Sequence, residues 1–219
     1  MIVAIDGPAG VGKSTVAKLL AARLRFLYLD TGALYRAVAW AVLKHGIEPG
    51  NAEAVAALLP KLSLQMQLPG NDVAVSVNGQ DVSTELRTPA VSEAASVVSA
   101  IPAVRAWLLP VQRQIGERGS VVAEGRDVGT NVFPSAPVKF FLEADPYVRA
   151  QRRHLELVAA GHGAAIEQTS AELAGRDDRD RSRSMAPLTA AEDAHHIDTS
   201  RLSAEEVVNR MFTVVTSKL

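Results

Sequence analysis

Gly7-Pro8-Ala9-Gly10-Val11-Gly12-Lys13-Ser14 follows a short apolar run, Ile2-Val3-Ala4-Ile5, and matches the spacing G-x-x-x-x-G-K-[ST] at every fixed position. Bare backbone at the glycines bends tightly and turns successive N–H groups inward around an anion, which side chains would obstruct. Lys13 adds a positive charge that reaches β- and γ-phosphates, and the Ser14 hydroxyl is placed to hold Mg2+. Ser14 and Thr15 then open a helix, read over residues 16–24, whose positive N-terminal end points at the same phosphates. A Gly-rich turn that merely joins a strand to a helix is the plain alternative. The strand–loop–helix order around the motif favours a nucleotide site instead.

Outward from this loop, strand-like runs at residues 2–6, 26–30, 121–124, 138–142 and 196–199 alternate with amphipathic helical patterns. Such alternation predicts parallel strands joined by helical crossovers. Ligands in these sheets bind beyond the carboxyl ends of the strands, and here those ends read Asp6-Gly7, Asp30-Thr31-Gly32 and Glu124-Gly125-Arg126-Asp127. Residues 62–68 and 73–77 break the rhythm with strict alternation, the second run followed by Asn78-Gly79, which predicts antiparallel hairpins. They form a β-rich insertion, packed on or hinged to the core, which continues as a helical segment over residues 88–100. A helix from Pro146 to about Ala160, a break at residues 161–165 and a helix capped by Ser170 carrying residues 176–183 in its later turns read as a moving lid. Ser203-Ala204-Glu205-Glu206 is a capping box for the last helix.

Composition narrows the function. Lys and Arg number 23 against 24 Asp and Glu, a formal charge of -1, so no global field draws the 219-residue chain to nucleic acid or an acidic membrane. The chain has no cysteine, which excludes disulfides, thiolate metal sites and cysteine nucleophiles and suits a reducing cytoplasm. Without a leader pattern or a spanning apolar stretch, a soluble cytoplasmic protein is expected.

Arg176-Asp177-Asp178-Arg179-Asp180-Arg181-Ser182-Arg183 holds four arginines and three aspartates within eight positions. A solvated helix face with i,i+4 pairs is one reading. Alternatively, Arg176, Asp180 and Arg183 share a face at i, i+4, i+7 and could hold a phosphate and a sugar hydroxyl together. Glu124-Gly125-Arg126-Asp127 sits where phosphate-loop enzymes place an acid near magnesium. Arg36 could face the same strand edge, and Arg105 and Arg113 lie on a helix read over residues 103–116. His195-His196 lacks metal-ligand spacing and an acidic partner, so it is read as strand entry.

Taken together, the loop from Gly7 to Thr15, Leu29-Asp30-Thr31-Gly32-Ala33-Leu34-Tyr35-Arg36, Glu124-Gly125-Arg126-Asp127-Val128-Gly129-Thr130 and the Arg176–Arg183 stretch with Ala186-Pro187-Leu188 resemble the bacterial cytidylate kinases over essentially the whole chain. The resemblance implies a three-layer P-loop α/β fold with a five-stranded parallel sheet, a β-rich CMP-binding insertion and a short helical lid. The core would span residues 1–57 and 101–219, the lid about 153–184 and the insertion 58–100. It implies transfer of the γ-phosphate of ATP to CMP or dCMP with Mg2+, and a monomer without nucleic-acid or membrane partners is expected. Gly7, Pro8, Ala9, Gly10, Val11, Gly12, Lys13, Ser14 and Thr15 would bind ATP, with Lys13 on the phosphates, Ser14 on the metal and Glu124 behind it. The family commonly has Asp where this chain has Glu124. Thr31, Tyr35, Arg36 and Arg126 would contact the acceptor's sugar or α-phosphate. Ser96, Arg105 and Arg183 would read cytosine, Arg176 and Asp180 would hold the ribose, and Asp127 belongs to the same pocket. Lys13, Arg126, Arg176 and Arg183 would stabilise the transferring group. A kinase for another small acceptor such as UMP, or a non-catalytic nucleotide-binding protein, shares the loop. A regulatory GTPase would need Asn-Lys-x-Asp, which is absent.

Overall fold

The computed structural model describes residues 1–67, 73–163 and 165–219. In chain order the elements are β1 (Ile2–Asp6), α1 (Lys13–Leu24), β2 (Leu27–Asp30), α2 (Thr31–Lys44), α3 (Ala52–Leu58), β3 (Leu64–Gln67), β4 (Ala74–Val77) and β5 (Gln80–Asp81), followed by α4 (Pro89–Val98), α5 (Pro102–Gly116), β6 (Val121–Glu124), β7 (Val138–Glu143), α6 (Pro146–Ala159), α7 (Ile166–Ser182), β8 (His195–Asp198) and α8 (Ala204–Thr216). The parallel sheet runs β2-β6-β1-β7-β8, and a second, antiparallel sheet runs β3-β4-β5. The central strands are nearly continuous apolar runs because helices cover both faces. On one face Leu34, Val38, Val104 and Leu108 pack over Ala4, Leu29 and Ala123. On the other, Val16, Leu20, Val208 and Met211 pack over Val3, Ile5 and Phe140. Three layers result.

Register turns this scaffold into a site. Ile5 and Asp30 both stand opposite Glu124, so the ends of β1, β2 and β6 come level and Asp6, Asp30 and Glu124 gather on one edge. Asp30 also caps α2, accepting from the Ala33 N–H at 3.0 Å, and this holds the start of that helix against the same edge. The Ser203–Glu206 capping box is present on α8.

Local departures from the sequence reading have physical reasons. Helix α1 starts at Lys13 because the loop runs straight into it, the Val16 N–H reaching the Gly12 carbonyl at 3.1 Å. Ser170 does not cap α7: the helix begins at Ile166 after Ala165, and Ser170 lies inside it. Arg183 is also not helical. Its φ of -63° and ψ of 139° place it just past the end of α7, where its side chain turns back to donate to the carboxylates of Asp127 and Asp180. Leu68, the end of the first alternating run, and Ala164, in the break before α7, lie outside the described residues.

Asn78 and Gly79, with φ of 51° and 81°, make the tight turn between β4 and β5. The insertion is packed on the core: Val75, Val77, Val82, Leu86 and Val91 join the same apolar cluster as α2. Among the described residues no single helix is long and apolar enough to cross a membrane.

A shared cluster makes the insertion unfold with the core. Leu86→Ala, at a site 3% exposed, is expected to destabilise the whole chain by about 2–5 kcal/mol within one cooperative transition in calorimetry. A separate low-temperature transition for the insertion would contradict the shared core.

Candidate active site

The phosphate loop leaves β1 at Gly7, whose φ is 150° and whose Cβ, if present, would lie 2.3 Å from the Leu142 carbonyl oxygen. Only glycine fits there. Lys13, 5% exposed, donates from Nζ to the Pro8 carbonyl at 2.6 Å. Burial, and then the neighbouring Arg126 guanidinium, hold its pKa down to about 7, against the pull of Glu124, Asp180 and Asp6. Asp6 accepts from the Val128 and Gly129 N–H groups at 2.8 and 2.7 Å, which ties the loop after β6 to the base of the phosphate loop. Burial outweighs those two bonds and pushes its carboxyl up to about 6.

Glu124 is buried beside Lys13 and Asp30. Burial, then the Asp30 charge, raises its pKa, while Lys13, Ser14 and Tyr28 oppose the rise. The Tyr28 hydroxyl donates to Glu124 Oε1 at 2.6 Å, and Thr31 Oγ1 donates to the Glu124 carbonyl at 2.7 Å. The chain must then pass Thr31 closely: a Cβ on Gly125 would lie 2.5 Å from Thr31 Oγ1.

Facing this half is a second set of charges. Asp127 pairs with Arg105 through Oδ2 and with Arg183 through Oδ1, the latter at 3.3 Å. Arg183 also donates to the Ala186 carbonyl at 2.6 Å and lies 3.5 Å from Asp180 Oδ1. Asp180 accepts from Arg126 Nε at 2.9 Å. Burial favours its neutral form, but Arg126 and Arg183 outweigh that and leave its pKa lowered. Arg36 pairs with Asp30, and the Arg105 guanidinium lies over the Tyr35 ring, 5.4 Å from its centroid. Arg176 makes no ion pair among the described residues. Burial, then Arg126, brings its pKa down to about 10. The buried Ser96 hydroxyl also lacks a protein partner among the described residues.

Both halves open into one cleft of about 320 Å³. It brings together Ala9, Gly10, Gly12, Lys13, Ser14, Thr15, Thr31, Tyr35, Arg36, Ser96, Arg105, Glu124, Arg126, Asp127, Arg176, Asp180 and Arg183. Gly7, Pro8 and Val11 are buried and do not form its wall. Eight basic side chains line the cleft against five acidic ones, so it has room for anions although the chain as a whole is nearly neutral.

Sequence reasoning missed several participants. Asp177 accepts from the Ala9 N–H at 3.2 Å and pairs with Arg149, which donates to the Ala9 carbonyl at 3.1 Å. Arg153 and Glu156, paired at 3.1 Å on α6, also line the cleft. Asp177 lay within the conspicuous charged stretch, but no local spacing marked Arg149 or Tyr28. His195 and His196 are exposed on the edge strand, with His196 Nδ1 3.2 Å from Glu143 Oε2. No group of three or more His, Cys, Asp or Glu suited to a metal occurs among the described residues.

A family model described as cytidylate kinase matches residues 3–217. The chain is 47% identical to the cytidylate kinase of Geobacter sulfurreducens over 215 residues, covering 98% of this chain and 92% of that protein. To the cytidylate kinase of Carboxydothermus hydrogenoformans it is 45% identical over 219 residues, covering 100% of this chain and 98% of that protein. The solved structure of an uncharacterized protein from Eubacterium ventriosum shares the fold, with a TM-score of 0.56, 13% identity and coverage of 99% and 98%. The chain belongs to the cytidylate kinase family.

Proposed function

We propose that the chain transfers the γ-phosphate of ATP to CMP or dCMP, giving CDP or dCDP and ADP. The observation that carries this reading is the single cleft in which the phosphate loop faces the Arg105–Asp127–Arg183 cluster. One wall suits a triphosphate; the other suits a nucleoside monophosphate.

On the donor side the loop amides from Gly7 to Thr15 and the Lys13 ammonium hold the ATP phosphates. Ser14 offers a hydroxyl and Glu124 a carboxylate, hard oxygen donors of the kind that would hold Mg2+. Held there with ATP, the ion would supply positive charge against the triphosphate. On the acceptor side Thr31, Tyr35, Arg36 and Arg126 hold the sugar or α-phosphate, Arg176 and Asp180 the ribose, and Ser96, Arg105 and Arg183 the cytosine, with Asp127 locking the two base-side arginines in place.

The nucleophile is an oxygen of the acceptor phosphate, already anionic near neutral pH, so no histidine base is required. It bonds to the γ-phosphorus as the bond to the β-phosphate oxygen breaks. Lys13, Arg126, Arg176 and Arg183 spread positive charge toward the transferring group, where one well-placed arginine can be worth roughly 10³ to 10⁵ in rate. Helices α6 and α7, the lid of this reading, exclude water that would otherwise accept the phosphate. The insertion from residue 58 to 100 supplies the acceptor's pocket. A cytoplasmic monomer acting on free nucleotides, without nucleic acid or membrane, completes the proposal.

ADP release measured across the common nucleoside monophosphates tests the assignment. Turnover is expected with CMP and dCMP, far less with UMP, AMP and dTMP, and none for Lys13→Ala; equal rates with every acceptor would overturn it. Arg183→Ala is expected to raise the KM for CMP about 10- to 100-fold while ATP affinity stays within about twofold, the loss of charged hydrogen bonds to the base. An unchanged KM would return Arg183 to a structural role.

The lowered pKa of Lys13 gives a further expectation. Near pH 8 the amine is mostly neutral in the free protein, and bound phosphates restore its charge, so ATP binding takes up close to one proton. Near pH 6 the amine is already charged and the uptake vanishes. Calorimetry in buffers of different ionisation enthalpy reads this directly, and proton release at pH 8 would contradict it.

A further inference from the structure

Tyr28 lies behind the cleft, not on its wall, and is only 1% exposed in the apolar layer between the sheet and α1. A buried phenol needs a hydrogen-bond partner. In the strand register Tyr28 stands opposite Val122, and Glu124 stands opposite Asp30. With side chains alternating, Tyr28, Asp30, Val122 and Glu124 share one face, so the phenol reaches forward along the sheet and donates to Glu124 Oε1 at 2.6 Å. Both groups are buried, and the Ser14 hydroxyl lies close to each.

Glu124 has one more rotatable bond than an aspartate would have at the strand end. Something must hold its longer arm if its carboxylate is to keep one position beside Ser14. Asp30 repels it, and Lys13 attracts it as a point charge without fixing its rotation. The Tyr28 hydroxyl is a directional donor on a rigid, fully packed ring, and it captures one carboxylate oxygen.

We propose that Tyr28 is a positioning residue of the donor site, its hydroxyl holding the Glu124 carboxylate beside Ser14 in the orientation that supports the Mg2+ arriving with ATP. This rests on the donor-site reading above. Tyr28 touches neither substrate and acts through Glu124.

The test is equilibrium binding of ATP without acceptor, with and without Mg2+, for the wild-type chain, Tyr28→Phe, Glu124→Gln and the double variant. Tyr28→Phe keeps the packed ring and removes only the hydroxyl. It is expected to reduce the Mg2+ enhancement of ATP affinity about three- to tenfold and to lower kcat similarly, while the KM for CMP stays within about twofold. The double variant is expected to be no worse than Glu124→Gln alone, because both act on one carboxylate. Full wild-type enhancement in Tyr28→Phe, or losses that add in full in the double variant, would overturn the inference alone. Absence of any Mg2+ enhancement in the wild-type chain would overturn the donor-site reading and this inference with it. Tyr28→Phe bears the test by itself if Glu124→Gln does not fold.

Discussion

Positive charge buried at the carboxyl ends of β1, β2 and β6 is the constraint around which the molecule is arranged. Removing a guanidinium or ammonium from water costs several kcal/mol unless an opposite charge meets it with good geometry. Most of the cleft's cations are met in this way: Arg105 and Arg183 share Asp127, Arg126 has Asp180, and Arg36 has Asp30. Two are not. Lys13 rests on a backbone carbonyl with its pKa held down to about 7, and Arg176 has no ion pair among the described residues. Those two mark where the cleft is short of negative charge, which the substrates' phosphates supply in the proposed function.

The same carboxylates set the mechanics. Asp6 grips two amides of the loop after β6, so Arg126 and Asp127 cannot drift from the phosphate loop. Asp177 and Arg149 grip Ala9 and anchor α7 to the loop's tip through a buried pair, whose disruption costs about 3–5 kcal/mol. At its other side α7 meets the insertion through Arg179 and Glu93, a bidentate pair at 2.6 and 3.0 Å with 36% and 53% of its side chains exposed. Exposed pairs are worth about 0–1 kcal/mol. The buried Asp177–Arg149 anchor is therefore the stronger of these two ties of α7, and the Arg179–Glu93 bridge the weaker.

Legibility in the sequence followed locality. The phosphate loop, the strand-end acids and the Asn78-Gly79 turn were readable because contiguous residues determine them. Asp127 and Arg105 could be named as site residues, yet their direct pairing spans 22 positions and only folding reveals it. Asp177 meets Ala9 across 168 positions, and Tyr28 meets Glu124 across 96. Helical spacing placed Arg183 on α7. The chain leaves the helix one residue earlier because Arg183 satisfies Asp127 and the Ala186 carbonyl from an extended backbone, interactions that outweigh one more helical turn. Ser170 shows the converse, a good capping residue overridden by a helix that starts a full turn upstream.

The central claim is that one cleft holds two phosphate-bearing substrates end to end, sharing the charge of Lys13, Arg126 and Arg176. Inhibition by adenosine and cytidine joined through a pentaphosphate chain tests it most directly. The analogue is expected to bind one per chain and to compete with both ATP and CMP. Competition with ATP alone, leaving the apparent affinity for CMP unchanged, would mean that the two halves are not one site.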